Sequence, residues 1–428
     1  MKSTILFILL CFVCLQNISF GQDKNEYLKN NSFDLYQKQS LQLNKTKVIG
    51  FGALHGSSET ETAEILLLKD LMKKHILGFY FIETDFSTAK GFQKFIETGD
   101  KNLLLDLIEQ YGAGVPQEKS IETYNKWVKL QPIFKSCKVQ ILGADKISSF
   151  KYPVQDVVSL VSDKSNWPKL DSLNQLLSKD GMKWIVNPQI KNKAEWFARK
   201  NNAFLKKQLR DFIKDYEEKK TTYEMKISDT AIFNHIISNL KKELGPYSPR
   251  EPRILSNYVF LKKQYDLDGA MQFFRYGVFH IMKEKINGRS TFFNQLIEND
   301  LYKKEEVLSI QGFLTKSRVL WEIKKDKRTN YVGFTTKGGV GIADYWLEYY
   351  KGIKHLKRNK KSNITCYFLN GKNGPYKKEN TFELVEIKKL FGRNFWNLER
   401  DKNTTDYIDY AILISNSKAN RPLEELKK

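Results

Sequence analysis

The chain has 428 residues, 41% of them hydrophobic and 13% aromatic, enough to bury a large core and too apolar for a disordered protein. Its 71 Lys and Arg outnumber 49 Asp and Glu, a formal charge of +22. The excess favours acidic polysaccharide, lipid head groups or anionic substrates, against the plainer reading that Lys and Asn are abundant throughout without a basic block, and the export signal below argues against nucleic acid.

The first residues read as an export signal. Lys2 precedes an apolar run from Ile5 to Leu15, then Gln16 to Gly21 with Ser19 and Gly21 as small residues for cleavage after Gly21. That run is short for a membrane-spanning helix. Leu10 and Val13 precede Cys11 and Cys14, where a lipidation signal would need a small residue. The expected mature protein, residues 22–428, is secreted or periplasmic, with no integral membrane segment. Of four cysteines it keeps Cys137 and Cys366, too few for a disulfide framework.

Apolar β-rich runs then alternate with helical patterns, which predicts an α/β fold: a mostly parallel central sheet flanked by helices, with a large helical insertion. The first strand is Lys47 to Phe51. A helix follows from Ser58 to Lys74, with Ser58 and Glu61 at capping-box spacing. Strands Gly78 to Ile82 and Lys138 to Leu142 complete the N-terminal half of the sheet domain, residues 22–150. Residues 151–300 carry long charged amphipathic helices and no clear strand, a helical insertion roofing the cleft. One helix bears Trp196, Phe197, Phe204, Phe212 and Tyr216. Another bears Ile232, Phe233 and Ile236. A third, capped by Asp268, bears Met271, Phe274, Val278 and Met282. Residues 301–428 supply the other half of the sheet through Val307 to Ile310, Tyr331 to Thr335, Ile364 to Leu369 and Ile408 to Ile414.

In open α/β sheets, ligands bind beyond the carboxyl ends of the strands. The residues just past four predicted strands are His55, Glu83, Asp145 and Gln311, and parallel neighbours would bring them to one edge. His55 is the histidine so placed, and an imidazole with an ordinary pKa near roughly 6.5 suits a general base. Glu83 would orient it or polarise a water. Asp85 is the rival carboxylate or a helix cap. Glu59 lies in the first turn after His55. Arg275 falls among apolar residues, so its guanidinium needs an anionic partner: Glu83, Glu59 or a substrate oxyanion, or else a purely structural ion pair inside the insertion. His75, His235, His280 and His355 sit on helical patterns without ligand spacing.

Gly338-Gly339-Val340-Gly341 lacks the Lys-Ser/Thr of a phosphate loop and reads as a turn. There is neither a Gly-x-Ser-x-Gly elbow nor a His-Glu-x-x-His helix, which argues against a serine hydrolase elbow and a zincin. No cofactor is called for, though His55, Glu59 and Glu83 leave a divalent metal open.

The run Phe51-Gly52-Ala53-Leu54-His55-Gly56-Ser57-Ser58-Glu59 followed by Phe81-Ile82-Glu83-Thr84-Asp85 resembles the opening of erythromycin-esterase-like proteins. Ile141 to Asp145 is similar to the family's Gly-x-Asp strand end, Phe274-Arg275 to its Arg-Asp motif, and Asp409 to Ile414 with Arg421-Pro422-Leu423 to its last strand and exit. The resemblance implies ester or lactone hydrolysis by a water that His55 activates as general base, with Glu83, Glu59 and Arg275 around it. The chain departs from the family in three places. Gly52 or Ala53 stands for a glutamate before the histidine, Tyr276 for an aspartate, and Gln311-Gly312-Phe313-Leu314 for His-Asn-x-His. A divergent exported hydrolase and a catalytically degenerate binding protein for an anionic glycan or metabolite are therefore both expected readings.

Overall fold

The computed structural model describes residues 24–37, 41–74, 76–162, 167–178, 203–325, 328–338, 341–392 and 396–427. The readings placed on the export signal, His75, Trp196 and Phe197 lie outside the described residues.

The fold is α/β, built on an eight-stranded sheet. In chain order its strands are β1 (Ser32–Asp34), β2 (Val48–Gly52), β3 (Leu77–Ile82), β4 (Gln140–Gly143), β5 (Met271–Tyr276), β6 (Val307–Thr315), β11 (Ile364–Phe368) and β13 (Tyr410–Ser415). A hairpin of β7 (Val319–Lys325) and β8 (Arg328–Thr335) stands apart, as does a small sheet of β9 (Asp344–Tyr345), β10 (Glu348–Tyr350) and β12 (Ile387–Lys389). The predicted strand Tyr331 to Thr335 thus exists but belongs to the hairpin. The main sheet runs β1-β11-β13-β6-β2-β5-β3-β4, parallel from β13 to β4, with β11 antiparallel at one side.

The central strands are apolar on both faces because helices cover both. Tyr80 and Phe273 face a layer that includes Leu68 and Trp127 from the helices Ser58–Lys73 and Ile121–Cys137. Phe81 and Phe274 face the opposite layer and stack at 4.2 Å between ring centroids, with Tyr258 of the helix Arg250–Tyr265 behind them.

Two expectations are corrected. Met271 to Tyr276 is a strand, not a helical turn, and lies between β2 and β3. Residues 151–300 are therefore not strand-free: the described helices from Lys151 to Tyr265 are followed by the strand, and a further helix, Phe292–Glu298, comes after it. Buried on both sides, Met-Gln-Phe-Phe-Arg-Tyr shows no alternation that would separate a short strand from a helix. The helix cap also moves by one residue. Ser57 is the N-cap of Ser58–Lys73 and its hydroxyl serves Ser417 Oγ at 2.6 Å, so the Ser58/Glu61 box does not form.

Register fixes where the site must be. Gly52 pairs with Tyr276 and Gln311, and Ile82 pairs with Arg275 and Gly143, so the carboxyl ends of β2, β3, β4 and β5 are level. A side chain at Gly52 would meet Ile281 at 2.6 Å and the Val278 backbone at 2.8 Å. Glycine there lets the turn after β5 lie against the end of β2.

Candidate functional site

Past β2 the chain turns at Gly56, whose φ of +89° is a conformation that other residues rarely adopt. The turn sets His55 between two buried carboxylates. Its Nδ1 lies 2.5 Å from Glu118 Oε1, in the short turn Pro116–Glu118, and its Nε2 lies 3.1 Å from Glu83 Oε2 at the end of β3. An imidazole with a carboxylate on each nitrogen satisfies both only by carrying a proton on each. Burial and the Arg275 guanidinium push the His55 pKa down, but the bonds to Glu118 and Glu83 outweigh them and hold it up at about 9. Burial would raise the Glu118 carboxyl, yet Lys126, His55 and Arg275 hold it below its usual range.

Glu83 is saturated with donors. Besides His55, its Oε2 accepts from the Gly277 backbone N–H at 2.8 Å, and its Oε1 accepts from Arg250 Nη2 at 2.6 Å. Against the cost of burial, Arg250 first and His55 next keep it ionised well below the ordinary glutamate value. Arg250, at the start of its helix, also donates from Nε to Asp145 Oδ1 at 3.0 Å and from Nη2 to Asp145 Oδ2. Asp145 is likewise held low by Arg250 despite burial. His280 stands on the other side of Glu83, with Nε2 3.6 Å from Oε1 and Nδ1 2.7 Å from Glu251 Oε1.

A second, fully buried tier lies behind Glu118. Strand alternation turns Arg275 to the Phe273 face, where Nε donates to Glu64 Oε2 at 3.2 Å and Nη1 to the carbonyl of Ala53 at 3.2 Å. Lys126 Nζ reaches Glu61 at 2.5 Å, Glu64 at 2.9 Å and Glu118 at 4.0 Å. Tyr80 Oη donates to Glu64. Burial and the neighbouring Glu118 raise Glu61 to about 7.

Of the residues selected from sequence, His55, Glu83 and Asp145 come together, joined by Arg250. Arg275 is buried but sits in the tier behind, paired with Glu64 rather than with Glu83 or Glu59. Glu59 faces away: it accepts from Tyr36 Oη at 3.1 Å on the surface. Gln311 is not past its strand, because β6 continues to Thr315, and its side chain is fully buried beside Tyr350. Asp85 is a helix cap, accepting from Thr88 N at 3.1 Å and Thr88 Oγ1 at 2.8 Å, and burial raises it to about 6. Asp85→Ala is expected to cost about 1 kcal/mol in unfolding free energy. A shift under a few tenths in a urea titration would contradict that role.

His55, Glu59 and Glu83 do not form a ligand set, since Glu59 is elsewhere. Among the described residues no group of three or more His, Cys, Asp or Glu is arranged to hold a metal ion. Sequence reasoning missed Glu118, Arg250, Glu251 and His280. His280 falls on a helical pattern in the sequence, yet it occupies a one-turn segment, Val278–Ile281, directly after β5. Its position past a strand end was the available signal, hidden by the misread strand.

These groups line a pocket of about 300 Å³ whose walls include Val115, Pro116, Ser148 and Phe279. A larger hollow of about 810 Å³ lies at the opposite, amino end of the strands, near Val307 and Tyr410. Four of its charged groups are paired, Lys283 with Asp409 at 2.7 Å and Lys304 with Asp406 at 2.7 Å. The smaller pocket is the one that the strand-end residues His55, Glu83 and Asp145 line. Among the described residues no helix is long and apolar enough to cross a membrane.

No protein-family model matches the chain, and no curated protein matches it. Solved structures do. A structural-genomics protein of Bacillus cereus matches at a TM-score of 0.58 with 12% identity, over 94% of this chain and 99% of that one. A succinoglycan biosynthesis protein matches at 0.56 with 13% identity, over 94% and 99%. An erythromycin esterase, a mutant in its open conformation, matches at 0.57 with 12% identity, over 92% and 98%. Over nearly its whole length, then, the chain shares the fold of erythromycin esterase.

Proposed function

We propose that this protein is an exported hydrolase of an ester or lactone-type bond in a small polar or anionic molecule. The observation that carries the reading is His55, fixed by Glu118 and Glu83 at the floor of a pocket at the carboxyl edge of the sheet. The fold shared with an esterase supports the reaction class only as analogy. In this arrangement the expected role of His55 changes. With both nitrogens engaged it carries its proton at neutral pH, so it serves as a buried cation that holds Glu83. Together with Arg250, 32% exposed at its side chain, it places positive charge where an oxyanion would develop. The formal charge of +22 favours an anionic substrate. Export is inferred from the apolar run Ile5 to Leu15 alone.

The test uses purified residues 22–428 against a panel of activated esters and lactones. Turnover is expected, and His55→Ala is expected to abolish it. Equal rates for the two proteins would remove the proposal. Saturation of Glu83 by neighbouring donors favours a second reading, an anionic-ligand binding protein without turnover. On that reading an anionic sugar or carboxylate raises the melting temperature and no product forms.

A further inference from the structure

We propose that His280, backed by Glu251, is the general base of this pocket, the group that takes a proton from the attacking water. The inference rests on the hydrolase reading above and assigns a role that His55 cannot fill in this geometry. Each His55 nitrogen is within bonding distance of a carboxylate, at 2.5 and 3.1 Å. His280 differs. Its Nδ1 is 2.7 Å from Glu251 Oε1, while its Nε2 is 3.6 Å from Glu83 Oε1, too far for a direct hydrogen bond. Both His280 and Glu83 line the pocket, so a water can approach both from the pocket side.

The support around His280 is built. Glu251 Oε2 accepts from the Phe292 backbone N–H at 2.8 Å, which fixes that carboxylate, and Oε1 lies 2.7 Å from Nδ1, an ion-pair contact without hydrogen-bond alignment that leaves Nδ1 unpartnered. Tyr276 and Phe279 meet the imidazole nearly at right angles, with centroids 5.9 and 6.0 Å away. A carboxylate beside an imidazole that lines a pocket supplies the parts of a base, with Glu251 near enough to take up the Nδ1–H bond as the ring gains charge. The charged groups facing it are Glu83 past β3, Glu251 and Arg250 at the head of their helix, and Asp145 past β4.

The proton count closes within the site. Nε2 takes one proton from water as the water oxygen bonds to the carbonyl carbon, and the imidazolium formed lies between Glu251 and Glu83. Negative charge on the carbonyl oxygen is met by Arg250. When the bond to the leaving oxygen breaks, His280 returns its proton to that alkoxide. One water is consumed, and an acid and an alcohol leave.

The experiment measures kcat and KM against pH on p-nitrophenyl esters for wild type, His280→Asn, Glu251→Gln and His280→Gly with added imidazole. His280→Asn is expected to lower kcat by roughly 10²-fold or more with little change in KM. Glu251→Gln should show a smaller fall, and imidazole should restore part of the His280→Gly rate. A His280→Asn enzyme with the wild-type kcat and pH profile overturns this inference and leaves the hydrolase reading standing. Loss without imidazole rescue, accompanied by a lowered melting temperature, overturns it in favour of a structural role. No turnover of any ester by wild type overturns both.

Discussion

Replacing Lys126 with methionine is expected to lower the unfolding free energy by roughly 3 to 5 kcal/mol, the usual cost of stranding a buried charge. Lys126 is 4% exposed and is shared among Glu61, Glu64 and Glu118 at 2.5, 2.9 and 4.0 Å. Arg275 is the other cation of that tier, and its guanidinium is already committed to Glu64 and two backbone carbonyls. Methionine keeps most of the volume and removes the charge, so packing loss contributes little and electrostatics dominates. Against a typical total of about 5 to 15 kcal/mol, such a change leaves the protein marginal. The loss should be milder at pH 6 than at pH 8. Glu61 is already raised to about 7, and without Lys126 it takes a proton more readily as pH falls. Urea unfolding at both pH values measures this, and an unchanged midpoint at pH 8 would sink the account. It would also imply that His55 does not depend on the tier, since Glu118 joins the two.

What the sequence made legible follows from where each residue's position is decided. β2, β3 and β4 are short apolar runs ending in turns, and their parallel register alone brings His55, Glu83 and Asp145 to one edge. A strand-end rule finds such residues because the backbone places them. Arg250 and Glu118 come from a helix start and a one-turn segment, and each reaches the site through packing between elements far apart in the chain, 105 residues in the case of Arg250 and Asp145. No local pattern marks them. Arg275 was recognised as a buried cation in need of an anion, and that need is met. Its partner was missed because a strand and a helix point the same residue in different directions. Gln311 failed for a simpler reason: β6 lies between β13 and β2, and its nine buried residues outrun the four read as strand.

Stability is expected to fall as pH rises from about 6.5 to about 9, and His55 is the cause. Its folded pKa of about 9 stands above the ordinary histidine value of 6.5. A raised histidine contributes stability that is fully present below the unfolded pKa and is lost as pH climbs through the folded one. At roughly 1.4 kcal/mol per pKa unit, the full contribution is about 3 to 4 kcal/mol. The carboxylates on either side do not mask it. Glu118 and Glu83 are held low, so their contributions are complete above the ordinary glutamate range and are lost only as pH falls. Glu61, raised to about 7, loses its share mostly below this window. The measurement is unfolding free energy at several pH values for wild type and His55→Gln. The variant should be less stable near pH 6.5, and the two curves should converge toward pH 9 because the neutral wild-type imidazole no longer answers both carboxylates. Curves that stay parallel would mean that His55 is neutral in the folded protein and that one of the two carboxylates holds the shared proton, which would return His55 to candidacy as the base.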